Sequence, residues 1–429
     1  MDAFFTALSA MSLTGVTTYP EGLANTLSGA GQIIVMVLVQ IGGLGVVTIL
    51  TFLFSIFRRK LQFKDRLMIS QAIAFNNYSE IVQFVRRLII ITAISELLGF
   101  VMGLPVFLKL FPNETFKALG YSLFYSISSF NNAGFDLFNG TNSLIGGLFV
   151  NNGNAILTND WLYYYFVSYN AFLSLLGGIS FIVIIDMFFT KKTPRTWTSF
   201  TKIVLTITFG LIAVMSTALF FTDGLKEDNP MNIFQVIFQI INCRTAGYSV
   251  YPQSDISLPG KMICATMMFI GGSPLSTAGG IKVTTIFIIV ISVLSYFRGK
   301  RIAAFKRNFS DTIIAKSMTI VFLVLSAIIL AYVGLTLFGI STLEGYTLSE
   351  DLQSNLFGMY LYDAFSFFGN VGFYTGLEPF LSIGSKIVLC FLMLLGHLGP
   401  MTFFQLFQNN LDKKVNVHYS FVEEDFLIG

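Results

Sequence analysis

Seven stretches of this chain, at about 32–57, 88–111, 161–189, 200–221, 262–297, 315–340 and 387–407, are apolar over more than 20 residues each. A bilayer hydrocarbon core about 30 Å thick takes about 20 apolar residues per spanning helix, so each stretch is long enough to cross a membrane. Composition agrees: 54% of the 429 residues are hydrophobic and only 11% charged, a balance that excludes an ordinary soluble domain. The only cysteines, Cys243, Cys264 and Cys390, lie in or beside apolar segments without metal-ligand spacing and read as packing residues rather than a disulfide framework.

Charge placement orients the spans, because Lys and Arg collect on the cytoplasmic side. Basic residues cluster at Arg58–Arg87, at Lys191–Lys202, at Arg298–Lys316 and at Lys413–Lys414, and these clusters hold 19 of the 26 in the chain. The alternate loops carry an Asn-rich stretch at 139–160, an acidic stretch at 223–228 and a polar one at 341–353. A multi-pass protein of the cytoplasmic membrane is expected, with the basic loops and the C-terminus inside. The net charge of +3 is explained by topology and gives no ground for a nucleic-acid partner.

A short unit recurs four times, each time after an apolar run too short to span and before a long span. Its copies are Leu13-Thr14-Gly15-Val16, Asn132-Ala133-Gly134-Phe135, Thr245-Ala246-Gly247-Tyr248 and Asn370-Val371-Gly372-Phe373, with glycines 119, 113 and 125 residues apart. The expected repeat is outer helix, short re-entrant helix, extended Gly loop, inner helix. The spans after each unit also share glycines, in Gln40-Ile41-Gly42-Gly43-Leu44-Gly45, Leu176-Gly177-Gly178-Ile179, Ile270-Gly271-Gly272-Ser273-Pro274 and Leu395-Gly396-His397-Leu398-Gly399-Pro400. Small residues let membrane helices approach closely or bend, so packing notches are the alternative to a functional reading. Recurrence in all four repeats argues for a shared role.

Backbone that is neither helix nor closed sheet survives at membrane depth only where protein buries it or it lines a water-filled cavity. Four such loops imply a pore. Extended carbonyls around an axis can replace the hydration shell of a cation, and Gly supplies the backbone angles and close approach this needs. The preceding half-helices would point their partially negative C-termini at the ion, so no ring of acids is required. The third inner span differs, because residues 271–282 (Gly271, Gly272, Ser273, Pro274, Leu275, Ser276, Thr277, Ala278, Gly279, Gly280, Ile281, Lys282) cannot form a regular helix. This segment is expected to be a flexible constriction beneath the third filter strand. Lys282 either snorkels to the cytoplasmic surface or stands beside the pathway as part of a gate.

Nearly the whole chain resembles the Trk/Ktr/HKT superfamily of potassium transporters, and most of all the bacterial Ktr membrane subunit. The matching pieces are Ser12–Val16, Phe130–Phe135, Arg244–Tyr248, the run Gly272–Lys282, which is the most specific, and the ending Glu423–Gly429. The resemblance implies potassium in a filter with Gly15, Gly134, Gly247 and Gly372, a gating loop at 271–282, a homodimer with one pore per subunit, and a cytosolic regulatory ring that carries the nucleotide site. Two departures are visible. The chain opens at what would already be the first re-entrant helix, leaving the first outer helix absent, and His397 stands where the family usually has an Arg thought to contact the gating loop. A histidine has an unperturbed pKa of about 6.5 and is mostly neutral at pH 7, so a lower barrier, a pH-sensitive gate and a simply packed His are all open.

Glu96 is a lone acid in mid-span, to be explained by a structural partner or by a proton relay. Arg244, next to the third unit, is expected to be tied to a carboxylate or to carbonyls behind the filter, and Asn131, Asn132 and Asn370 to brace the filter loops rather than touch the ion. Hydroxyls of Thr14 or Thr245 are candidates for a share in ion discrimination.

The expectation is therefore an all-α integral membrane protein whose four pseudo-symmetric repeats surround one pore: repeat one at 1–66, repeat two at 67–195, repeat three at 196–307, repeat four at 308–412, and a cytoplasmic tail at 413–429. Its function would be potassium uptake through the filter, with sodium dependence left open. The competing reading is an alternating-access symporter coupling potassium to sodium or protons, with the broken third span as its midplane site. Catalysis has no support: the only histidines, His397 and His418, stand far apart, and no phosphate-cradling Gly-Lys motif occurs.

Overall fold

The computed structural model describes residues 1–19, 22–45, 78–137, 150–151, 154–155, 161–190, 193–227, 229–299, 302–304, 307–343, 350–377 and 381–399. The basic clusters at 58–66 and 413–414, most of the polar loops at 139–160 and 341–353, Pro400, the tail at 413–429 and the repeat boundaries at 66 and 412 lie outside them. The described residues are overwhelmingly helical, and the β-pairing among them is limited to two antiparallel ladders two residues long, at 150–155 and 303–308, and one parallel bridge between Ile270 and Ile281.

The helices follow the expected repeat. Re-entrant helices run over Asp2–Met11, Thr115–Phe130, Ile233–Cys243 and Glu350–Gly369, each ending at one of the four Gly units. Three outer helices, Tyr78–Leu110, Ser199–Leu219 and Asp311–Leu343, precede the second, third and fourth of them. Among the described residues, the helices long and apolar enough to cross a membrane unbroken are Val82–Leu110, Ser199–Gly224, which runs on past Leu219, and Asp311–Gly339. Their outward faces carry exposed Leu97, Phe209, Phe322 and Leu330, as suits a hydrocarbon solvent.

Of the other four apolar stretches, expected to be continuous or, in one case, interrupted spans, two are broken within the described residues, and in the other two the described helix ends at a glycine. Gly29–Leu44 stops at Gly45 with φ 76°, and Ile383–Leu398 stops at Gly399 with φ 80°. The stretch at 161–189 is not one span, because Trp161–Gly178 and Phe181–Phe188 meet at a 96° bend. The third inner span divides into Leu258–Phe269 and Val283–Phe297 around the segment expected to be irregular. Three of these inner helices begin at a serine cap, where Ser28, Ser257 and Ser382 accept from the backbone N–H three residues on at 3.4, 3.1 and 3.1 Å.

The glycine notches have a specific cause. A Cβ on Gly42, Gly177 or Gly396 would fall on the carbonyl oxygen of Met11, Phe130 or Phe368, at the C-terminus of the re-entrant helix of the same repeat. Inner helix and re-entrant helix thus touch backbone to backbone, which positions the strand between them. Behind that contact, Phe107, Tyr125, Phe166 and Tyr248 pack ring to ring, with centroids 5.2–6.2 Å apart. Phe5 and Phe367 meet edge-on at 6.1 Å, joining the first re-entrant helix to the fourth.

Candidate functional site

Each strand of the site starts as a helix C-cap. In the first, second and fourth repeats Leu13, Asn132 and Asn370 adopt left-handed φ values of 61°, 55° and 52°. Their amides bond Ala10, Ser129 and Phe367 carbonyls at 3.2–3.4 Å, and the following amides of Thr14, Ala133 and Val371 bond Ser9, Ser128 and Ser366 carbonyls at 2.8–2.9 Å. This is the Schellman pattern, which satisfies the last helix carbonyls and turns the chain out of the helix. The third repeat does it differently: the amides of Thr245, Ala246 and Gly247 all converge on the Asn242 carbonyl at 3.0–3.3 Å.

Two residues after each cap stands the glycine, with φ 78° at Gly15, 67° at Gly134, 71° at Gly247 and 86° at Gly372. The four form a closed ring. A Cβ on Gly15 would collide with the Ala133 carbonyl oxygen, one on Gly134 with that of Ala246, one on Gly247 with that of Val371, and one on Gly372 with that of Thr14. The fourth strand therefore packs onto the first, and all four glycines line one small cavity of about 40 Å³ together with Thr17, Tyr19, Asp136 and Tyr374. Sequence reasoning missed these last four. Asp136 was legible as the residue directly after Phe135, and its carboxylate is held by the Tyr125 hydroxyl.

Residues at the fourth place of each unit, Val16, Phe135, Tyr248 and Phe373, are buried, and Phe135 also borders the cavity. The asparagines brace the ring. Asn370 Nδ2 donates to Thr14 Oγ1 at 2.9 Å and to the Met393 carbonyl at 3.0 Å. With its amide turned so that the nitrogen faces the Ser174 carbonyl, Asn132 donates to that carbonyl and accepts from Gly178 N, both at 3.0 Å. Asn131 Nδ2 binds Gln40 Oε1 at 3.2 Å and Glu96 Oε1 at 3.0 Å, which gives the mid-span acid its structural partners.

On the other side of the ring, residues 271–282 form a loop pinched at its neck, where Gly272 N meets the Gly279 carbonyl at 3.3 Å and Ile281 N the Phe269 carbonyl at 3.3 Å. Its tip crosses to the second repeat and docks on the break in that inner helix. Ser273 N donates to Gly178 O at 3.2 Å, Thr277 N to Gly177 O at 3.3 Å, and Phe181 N returns a bond to Leu275 O at 3.0 Å. A broken helix frees backbone groups, and here the two breaks satisfy each other. The fourth repeat is touched as well, since a Cβ on Gly279 would meet Asn370 Oδ1 at 2.5 Å.

A cavity of about 200 Å³ opens beneath, lined by Ser276, Thr277, Lys282 and His397 among the residues singled out from sequence, with Gly43, Gly45, Phe84 and Phe181. Gly271, Gly272, Ser273, Pro274, Gly279 and Gly280 do not line it; they shape the neck and the dock. Lys282 Nζ turns back to the Ala278 carbonyl at 2.6 Å, so its ammonium stays at the loop. Arg244 is buried and its Nε donates to Gly271 O at 3.3 Å, a carbonyl rather than a carboxylate.

The TrkH family model, described as a cation transport protein, matches residues 1–419. The potassium/sodium uptake protein NtpJ of Enterococcus hirae is 30% identical over 440 residues, covering 100% of this chain and 90% of that protein. Ktr system potassium uptake protein B of Bacillus subtilis is 30% identical over 431 residues, covering 98% of this chain and 88% of the relative. The crystal structure of the potassium transporter TrkH from Vibrio parahaemolyticus has the same fold, with a TM-score of 0.66 at 17% identity over 94% of this chain and 77% of that one. The chain, an integral membrane protein, thus belongs to the TrkH family of cation transport proteins, whose members are transporters rather than enzymes.

Proposed function

We propose that this chain carries potassium into the cell across the cytoplasmic membrane, through a filter made of the units at 13–16, 132–135, 245–248 and 370–373. The observation that carries the reading is the closed ring, in which each glycine lies against the carbonyl of the residue before the next repeat's glycine. Carbonyls packed around one axis suit a dehydrated monovalent cation, and the re-entrant helices present their partially negative ends to it. The names of the relatives support potassium as the ion, and one of them pairs it with sodium. The loop at 271–282 serves as the gate in this reading, with Lys282 and His397 as its electrostatic elements. A homodimer controlled by a cytosolic nucleotide-binding ring on the basic face would complete the system.

Uptake of rubidium-86 into proteoliposomes, with potassium or sodium as competitor, tests it. Potassium should compete far better than sodium, and Gly247→Ser should erase the difference. Equal competition by both ions in the wild type would rule out a potassium filter. Uptake that depends on an imposed sodium or proton gradient would favour the symporter.

A further inference from the structure

The ring is stapled by side chains at only two of its four seams. Among the described residues, a side-chain hydrogen bond from one filter unit to the next occurs between strands two and three and between strands four and one. At the second of these seams Asn370 Nδ2 reaches Thr14 Oγ1 at 2.9 Å, and Thr14 Oγ1 also meets Ser12 Oγ at 2.9 Å. Thr14 is fully buried, so its hydroxyl is spent on the staple rather than turned to an ion.

The first seam depends on Tyr248. Three of the four residues that follow a filter glycine are Val16, Phe135 and Phe373, without a polar group, while Tyr248 carries a hydroxyl. That hydroxyl donates to Ser128 Oγ at 2.6 Å and lies 3.4 Å from the Phe135 carbonyl, to which Ser128 Oγ itself donates at 3.1 Å. Both partners stand behind the ring, so the Phe135 carbonyl is held by hydroxyls of the scaffold. The Tyr248 ring is fully buried and stacks on Tyr125 at a centroid distance of 6.2 Å and an interplanar angle of 28°, which fixes where the hydroxyl points. A buried, doubly engaged hydroxyl of this kind is a rigid tie rather than a surface contact.

We propose that the Tyr248 hydroxyl is a specificity-determining tie: through Ser128 and the Phe135 carbonyl it holds strands two and three at the spacing that suits the larger cation, and the Asn370–Thr14 bond does the same for strands four and one. The proposal rests on the reading of the ring as a potassium filter. A ring of carbonyls discriminates against the smaller sodium ion only if it resists contracting around it, whether the discrimination is described as cavity size or as carbonyl field strength. With one glycine per strand, little backbone is available to supply that resistance, and the staples supply it.

The experiment is the rubidium-86 competition assay on the full chain in proteoliposomes, read as the ratio of sodium to potassium concentrations that halve uptake. Tyr248→Phe removes one hydroxyl and keeps the ring. It should lower the ratio about fivefold, the equivalent of one buried hydrogen bond of about 1 kcal/mol. Ser128→Ala should lower it similarly, and the double variant should be no worse than either single one, since both remove the same tie. Thr14→Val tests the second staple and should act additively with Tyr248→Phe. A purely structural role would lower thermal stability or total uptake and leave the ratio where it was, and that outcome in Tyr248→Phe and Ser128→Ala would overturn the proposal. A wild type without potassium-preferring uptake would instead sink the filter reading on which it stands.

Discussion

Thr277 Oγ1 donates to the Gly177 carbonyl at 3.0 Å, so that a hydroxyl from the loop of the third repeat fills an acceptor exposed by the break in the second inner helix. The Thr277 amide shares the same carbonyl at 3.3 Å, and the Phe130 carbonyl at the end of the second re-entrant helix lies 3.4 Å from the hydroxyl. One side chain thus fastens the loop to both the inner helix and the helix that leads into the glycine ring.

Thr277→Val keeps the shape and the amide bond but removes the hydroxyl donor. If the loop obstructs the pathway in its docked position, loosening it by about 1 kcal/mol should raise basal uptake about fivefold. Rubidium-86 uptake by the chain reconstituted without any partner is the measurement. Basal uptake that stays level or falls would show that docking of the loop does not limit conduction.

The ring glycines and the lipid-side glycines should behave oppositely. At Gly372 any side chain meets two penalties, a φ of 86° and the Thr14 carbonyl in its path, and the same double penalty recurs at Gly15, Gly134 and Gly247. Alanine at Gly372 should cost potassium preference, and should destabilise the fold by several kcal/mol if the ring cannot widen. Gly210, inside the outer helix Ser199–Leu219, has open space where a Cβ would stand, with nothing within 4 Å, and no positive φ. Gly210→Ala should therefore be neutral or stabilising by up to about 1 kcal/mol. Paired thermal unfolding in detergent and ion competition would separate the two classes; a Gly372→Ala protein with unchanged preference would contradict the ring geometry.

Why the glycines could be found in advance and the breaks could not follows from what a sequence records. The Gly15, Gly134, Gly247 and Gly372 units were visible because their spacing repeats and each lies between a short apolar run and a long one. The irregular segment at 271–282 was visible because Pro274 and four glycines cannot continue a helix. The 96° bend after Gly178 was hidden, since Leu176-Gly177-Gly178-Ile179 reads like any packing notch. At the bend, backbone bonds are exchanged with Ser273, Leu275 and Thr277, about 100 residues away in sequence. Glu96 gave the converse case: its place in mid-span was plain, but Asn131, which donates to it and to Gln40, stands just past the end of another helix. Arg244 was expected to find carboxylates or carbonyls, and only the fold selects the Gly271 carbonyl.

His397 and Lys282 line the same cavity beneath the ring, so the cavity carries one ammonium and one imidazole on the proposed path of a cation. His397→Arg would add a charge that is fixed at every working pH. Two like charges about 8 Å apart in a medium of effective dielectric about 20 differ by about 2 kcal/mol from a charge beside a neutral group, and a cation passing at a similar distance meets a barrier of that size. Uptake by His397→Arg should accordingly fall between about tenfold and thirtyfold, with the potassium-to-sodium preference unchanged, because the proposed filter lies elsewhere. His397→Gln, which keeps a neutral polar group of similar reach, should stay near the wild type. Equal uptake by the arginine and glutamine variants would mean that the ion does not pass within reach of this side chain, and the cavity would then be a packing void beside the pathway rather than part of it.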